Sequence, residues 1–249
     1  MQPIPIHTLR LGLGAHGDVF TGDACIVEAA NRIAAGEVLA DAVLPCRPAP
    51  VPFAANHPSI SRVVRAFAIG LNDAWDDDSR QRLLPCAPRL LCTATGAADD
   101  EVRAWMAVDW LVREICPAFL RLAGLEAHAA ALEGCAPLDG MAAAVAAQPA
   151  LFGARQHAWT RARHAFQSGA TGVSGAVRVA ARTAGAEAAG AAAGLGVAAG
   201  RGPAPAATLA VWEAAGAAWE TEWPALRDTV QALQSRALAL LHAMVEIGR

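Results

Sequence analysis

Apolar residues recur every three or four positions along most of this chain, the period that lines one face of an α-helix. The clearest stripe, Ile60, Val63, Val64, Phe67, Leu71 and Trp75, predicts a helix with Pro58 in its opening turn. Before it, Asp23 stands as the N-cap of a helix expected over 23–42. Its inner face would carry Ile26, Ala30, Ile33 and Val38, with Glu28 and Arg32 paired on the opposite side. The prolines across 45–58 predict loop, and the glycines and prolines before residue 23 predict an irregular lead-in with one extended segment around 6–11.

Further along, Asp76, Asp77 and Asp78 form the acidic start of a short helix that Pro85 and Pro88 end. Asp99, Asp100 and Glu101 repeat the device before a helix reaching Cys116. Its stripe of Val102, Trp105, Met106, Val112 and Ile115 predicts a central position. Apolar residues continue past Pro117 to Gly124, and another short helix ends near Gly134. Beyond this point alanine dominates: helices are expected over 138–147, 149–166 and 176–193, with glycine-rich breaks at 168–175 and 194–205. Trp212 and Trp219, seven apart, would share a face, and Pro224 opens a last helix whose seam runs through Val230, Leu233, Ala237, Leu241 and Met244. That seam must be buried, against this chain or against a second copy in a homo-oligomer. The expected architecture is all-α, an irregular multi-helix bundle. It is read as a single domain over 1–249, with an N-terminal helical lobe at 1–137 packed on an alanine-rich lobe at 138–249.

Composition narrows the function classes. With 55% apolar residues in 249, the chain can fill a sizeable core, although six phenylalanines and no tyrosine leave mostly thin side chains that favour close helix approach. All 20 basic residues are arginine, and the net charge is −3 with a pI of 6.2, so the basic footprint of a nucleic-acid binder is absent. The first ten residues lack a charged segment followed by an apolar one, and the small-apolar run over 188–200 is too short and glycine-broken to span a bilayer. A cytoplasmic protein without membrane partners is expected. There Cys25, Cys46, Cys86, Cys92, Cys116 and Cys135, irregularly spaced and without Cys-x-x-Cys, would remain thiols and pack as small hydrophobes.

Candidate chemistry is sparse. Gly12-Leu13-Gly14-Ala15-His16-Gly17 fits a dinucleotide fingerprint, but no strand-crossover-helix context surrounds it, so it reads as a turn and no cofactor is expected. His16, Asp18, Cys25, Glu28 and His57 cluster in the first quarter without a metal-ligand spacing, so no metal is expected and caps and turns account for them. Asp109 lies on an apolar stripe where a lone carboxylate is expensive to bury, and Arg113, four residues on, offers a structural ion pair. The competing reading makes Asp109 and Arg113 part of a helix-lined ligand pocket with His16, Glu28, His57 and Asp73. No serine, cysteine or threonine nucleophile signature is present, so no catalytic residue is assigned. From 140 to 186 there is no acidic residue, while Arg155, Arg161, Arg163, Arg178 and Arg182 accompany His157 and His164. That stretch is either a solvated face complementing the acidic turns, or a docking surface for an acidic protein partner through Arg155, Arg161 and Arg163.

Several pieces of the first half carry a resemblance: Cys25-Ile26-Val27-Glu28-Ala29-Ala30, Ala35-Gly36-Glu37, His57-Pro58, Leu71-Asn72-Asp73, Arg80-Gln81 with Leu84-Pro85, and Asp109-Trp110-Leu111-Val112-Arg113 with Leu122-Ala123-Gly124-Leu125. Together they resemble an uncharacterised alanine-rich helical protein family of actinobacteria and their phages. In that family tryptophan-alanine-glycine repeats follow in the second half, and Trp212 to Trp219 is a degenerate echo of them. The resemblance implies a phage-related setting and transfers no mechanism. The expected function is a non-enzymatic helical protein-binding or accessory module, phage-related or immunity-like. The alternative is an enzyme or small-ligand binder with its pocket around Glu28, Asp109 and Arg113.

Overall fold

Helix α1, Ile26–Ala34, follows a two-residue strand rather than starting at Asp23, which is itself paired in that strand. In this computed structural model, residues 3–14, 23–40, 44, 46–51, 56–167 and 224–249 are described, with backbone alone at 162–163, 165–167 and 224–226. The expectations for His16, Asp18, the segments 168–175, 176–193 and 194–205, Trp212 and Trp219 lie outside the described residues. Cys25 is the N-cap of α1, and the Glu28 carboxylate accepts the Cys25 N–H at 2.7 Å, answering one of the donors a helix start leaves open.

The described chain is mostly helical. Its strands are two residues long and parallel: β1 (Ile4–Pro5) pairs with β4 (Val38–Leu39), and β2 (Arg10–Leu11) with β3 (Asp23–Ala24). Residues 6–8, expected to be extended, turn as a 3₁₀ helix. The α-helices after α1 are α2 (Arg62–Ala74), α3 (Asp77–Gln81), α4 (Ala87–Leu90), α5 (Ala97–Trp110), α6 (Cys116–Leu122), α7 (Glu126–Glu133), α8 (Met141–Gln167) and α9 (Pro224–Glu246). Two compact units divide the chain, Met1–Arg103 with Leu238–Arg249, and Ala104–Ala237, so the divisions fall inside α5 and α9.

In the first unit α1 packs on α2 and α4 and is buried all round, including Glu28 and Arg32, which amphipathic reading would leave in solvent. Burial is tolerated because Glu28 serves the helix N-terminus and Arg32 pairs with Glu37 at 2.6 Å. The helix expected from Pro58 begins at Arg62, because Ser61 is the better cap: its hydroxyl oxygen accepts from Val63 and Val64 N–H at 3.2 Å. The same hydroxyl donates to Asp100, whose carboxylate also meets Arg103 at 3.0 Å. Arg103 is fully buried, while Val102, expected on the inner stripe of α5, is 48% exposed. At the start of α5 the buried ion pair takes the place expected of Val102, while Trp105 is buried as its stripe position predicts. At the far end of α2, Arg80 donates to the Asn72 and Trp75 carbonyls at 2.5 and 2.7 Å and pairs with Asp77 at 2.6 Å.

Cys46 and Cys92 are joined as a disulfide with Cα atoms 6.1 Å apart, which corrects the all-thiol expectation for these two. The bond ties the proline-rich segment to the turn after α4, where Cys92 adopts φ +66° and donates its N–H to Ser59 Oγ at 3.3 Å. Cys25, Cys86, Cys116 and Cys135 are not disulfide-bonded.

In the second unit, α5 passes into a π-helical turn, Leu111–Ile115, before α6. Pro117 supplies the cause: it lacks an N–H and its ring crowds the preceding turn, and the wider turn, with Cys116 N–H donating to the Leu111 carbonyl, relieves both. α6 packs on α7 and α7 on α8, with Arg121 bridging to Glu133 by two hydrogen bonds, one of 2.5 Å. α8 runs unbroken through Pro149, where a new helix had been expected to start. In α9, Val230, Gln234, Ala237, Leu241, Met244 and Val245 are buried, so Gln234 takes the core position expected of Leu233.

Candidate docking face on helix α8

Ala144, Ala147, Leu151, Ala154 and Ala158, spaced three and four apart, form the buried stripe of α8. Met141, Val145, Phe152 and Trp159 are 43%, 60%, 55% and 42% exposed. At 3.6 residues per turn these four lie within about 40° of one another around the axis, roughly 115° from the buried stripe. Apart from Leu151 the buried stripe is alanine, while four of the helix's larger apolar side chains stand exposed. An open depression of about 630 Å³ lies over Phe152, Arg155, Gln156, Trp159 and Thr160. Arg155 and Gln156 flank the apolar stripe on either side, both exposed. Arg155 makes no ion pair among the described residues.

The adjoining basic residues divide into those that hold the fold and those that do not. Arg161 Nη1 donates to the Gly124 carbonyl at 2.7 Å, closing the end of α6, where Gly124 sits at φ +68°. The His157 ring stacks on His128 of α7 with centroids 4.6 Å apart, and its Nδ1 contacts the Gly153 carbonyl at 2.9 Å. Burial lowers the pKa of His128, and the charges of His157 and Arg161 push it the same way. Arg163 has no described side chain.

The residues expected to build a ligand pocket have other contacts. Glu28 caps α1 in the first unit, whereas Asp109 and Arg113 belong to the second. Asp109 accepts the Leu138 N–H at 2.8 Å and Arg113 Nη1 at 3.3 Å, which secures the connection between α7 and α8. Its side chain is 32% exposed, so the carboxylate keeps part of its hydration. Asp73, exposed, accepts from Gly14 N–H at 3.3 Å and from Asn72 Nδ2 at 3.1 Å, while Asn72 Nδ2 also donates to the Gly12 carbonyl at 2.9 Å. The described part of the glycine-rich segment is thus held by the end of α2. His57 is 2% exposed, its pKa lowered by burial, and its Nδ1 meets Ser59 Oγ at 2.8 Å.

Burial pushes the Cys25 thiol up to about 12, with the Glu28 carboxylate acting in the same direction, and the Cys86 thiol up to about 11. Neither is a thiolate nucleophile near neutral pH. Among the described residues no group of three or more His, Cys, Asp or Glu side chains could hold a metal ion, and no helix is long and apolar enough to cross a membrane. Sequence reading singled out the charges of α8 and missed its exposed apolar stripe. The available signal was the interval of seven separating Val145, Phe152 and Trp159, interleaved with an alanine stripe of its own. No family model, curated protein or solved structure matches the chain.

Proposed function

We propose that this chain is a non-enzymatic helical module, built as an irregular bundle, that docks a protein partner through α8. Its proposed setting is phage-related or immunity-like, and the Cys46–Cys92 disulfide favours an oxidising compartment over the cytoplasm expected from sequence. The observation that carries the reading is the inversion on α8, where alanines are buried while Phe152 and Trp159 stand in solvent. Large apolar side chains grouped on a free face usually mark an interaction surface, and aromatic anchors dominate such contacts. Asp109 and Arg113 serve this reading as fold-holding groups, because each already has a partner within its own unit.

Photo-crosslinking from Val145 or Phe152 of the full chain in native host extract tests the proposal. One recurrent partner peptide should be captured from both positions and lost when Trp159→Glu is added. Crosslinks unaffected by Trp159→Glu, or confined to this chain's own residues, would overturn it.

A further inference from the structure

Resting on that docking reading, we infer that the occupant of the α8 face is an acidic amphipathic helix of another protein, its apolar residues spaced in heptads. Three properties of the face select this class. The first is shape: Met141 to Trp159 spans about 27 Å of helix at 1.5 Å per residue, and Val145, Phe152 and Trp159 recur every seventh position, a narrow straight seam. The backbone of a helix is internally hydrogen-bonded and offers no edge to an extended peptide, so recognition runs through side chains, and a second helix laid along the seam fits that constraint.

The second property is charge. Residues 140–167 hold no aspartate or glutamate, and Arg155, beside Phe152 and Trp159, makes no ion pair among the described residues. A carboxylate on the flank of the incoming helix would meet that guanidinium next to the apolar contact, where it selects partners by sign. Arg161, by contrast, is engaged with Gly124, which leaves Arg155 as the cation beside the seam.

The third property excludes self-pairing. A two-fold contact between two copies of α8 sets the same surface against itself. It would set the Arg155-bearing flank against another surface that carries no carboxylate to answer it. Like charges across an interface disfavour the pairing, so the complementary partner carries the acidic residues.

A fluorescein-labelled three-heptad peptide with leucine on its seam and glutamate on its flanks is the probe, set against a peptide identical except for arginine in place of glutamate. Titrated against the full chain, the glutamate peptide should bind at least tenfold more tightly, and raising the salt from 50 to 300 mM should weaken it severalfold. Phe152→Ala and Trp159→Ala should each weaken it about tenfold and Arg155→Ala about threefold, with the helical circular dichroism unchanged because all three side chains are exposed. Equal affinity for the two peptides overturns the acidic class. So does a chain that sediments as a dimer and becomes a monomer on Phe152→Glu. If host crosslinks still depend on Trp159 in either case, the docking reading survives. Loss of that dependence removes the docking reading as well.

Discussion

Arg103 Nη2 donates to the Ile247 carbonyl at 2.7 Å, and its Nε to the Met244 carbonyl at 3.0 Å, so a wholly buried guanidinium closes the last turn of α9. The same side chain reaches Asp100 at 3.0 Å and Thr95 Oγ1 at 3.1 Å. Helix ends leave carbonyls without partners, and a buried arginine answers several of them together.

Arg103→Met roughly keeps the volume and removes the donors, leaving the Asp100 carboxylate with the Ser61 hydroxyl but no counter-charge and two carbonyls without this donor. Breaking a buried pair in this way costs about 3–5 kcal/mol. Urea unfolding followed by circular dichroism checks it, and a loss below about 1 kcal/mol would show that the clasp contributes little.

The Cys46–Cys92 bond joins positions separated by 46 residues, for which the loop-entropy relation gives a stabilisation of about 4 kcal/mol. Cys46→Ser should lower the unfolding midpoint, and reductant should bring the parent chain down to the same value. A midpoint indifferent to reductant would mean that the tether adds no stability.

Acidification should destabilise the fold through its histidines. Burial lowers the pKa of His57, of His128 and of His242, so in each case the unfolded chain binds its proton first. The stability they contribute is present above the ordinary histidine value of about 6.5 and is lost as pH falls through the lower folded values. Denaturation midpoints should therefore decline between pH 7.5 and 5, and less steeply in His128→Gln. Below the histidine range, Glu133 and Glu246, both lowered by arginine hydrogen bonds, extend the decline. A flat profile across pH 7.5 to 5 contradicts the histidine assignment.

Thiol labelling should rank the cysteines outside the disulfide. With its pKa near 12, Cys25 should react with iodoacetamide more than about 100-fold more slowly at pH 8 than an ordinary thiol. Cys86 and Cys116 are buried, leaving half-exposed Cys135 to label first. Peptide mapping of the native protein that finds Cys25 or Cys86 labelled ahead of Cys135 would refute the order.

For Asp109, the Leu138 N–H needs an acceptor and Arg113 needs little more than a neighbour, since that pair is about a third exposed. Asp109→Asn should cost less than about 1 kcal/mol and Asp109→Ala about 1–2 kcal/mol. A larger loss in Asp109→Asn, seen by thermal unfolding, would assign the stabilisation to the charge instead.

The helices were legible because their signals are local. The stripe from Ile60 to Trp75 announces α2, and the acidic triplet beginning at Asp76 announces α3, whose N-cap Asp76 accepts the Ser79 N–H at 2.8 Å. Boundaries shifted where competing caps stood nearby, Cys25 with Glu28 against Asp23, and Ser61 against Pro58. The candidate site was legible only as charge. Arg161 was singled out and turns out to close α6, whereas Phe152 and Trp159 looked like ordinary members of an apolar helix.

By itself, the order of residues determined that this chain coils into helices, since turn-by-turn hydrogen bonding and a three-to-four spacing are settled within a few neighbours. Only the tertiary structure decided that Arg103 would be buried while Val102 faced water, that Cys46 would meet Cys92, and that α8 would turn its alanines inward. Those outcomes depend on groups far apart along the chain. Arg103 and Ile247 stand 144 positions apart, and the packing of α7 on α8 favours whichever side lets the two helices come close, a choice that no window of local sequence contains.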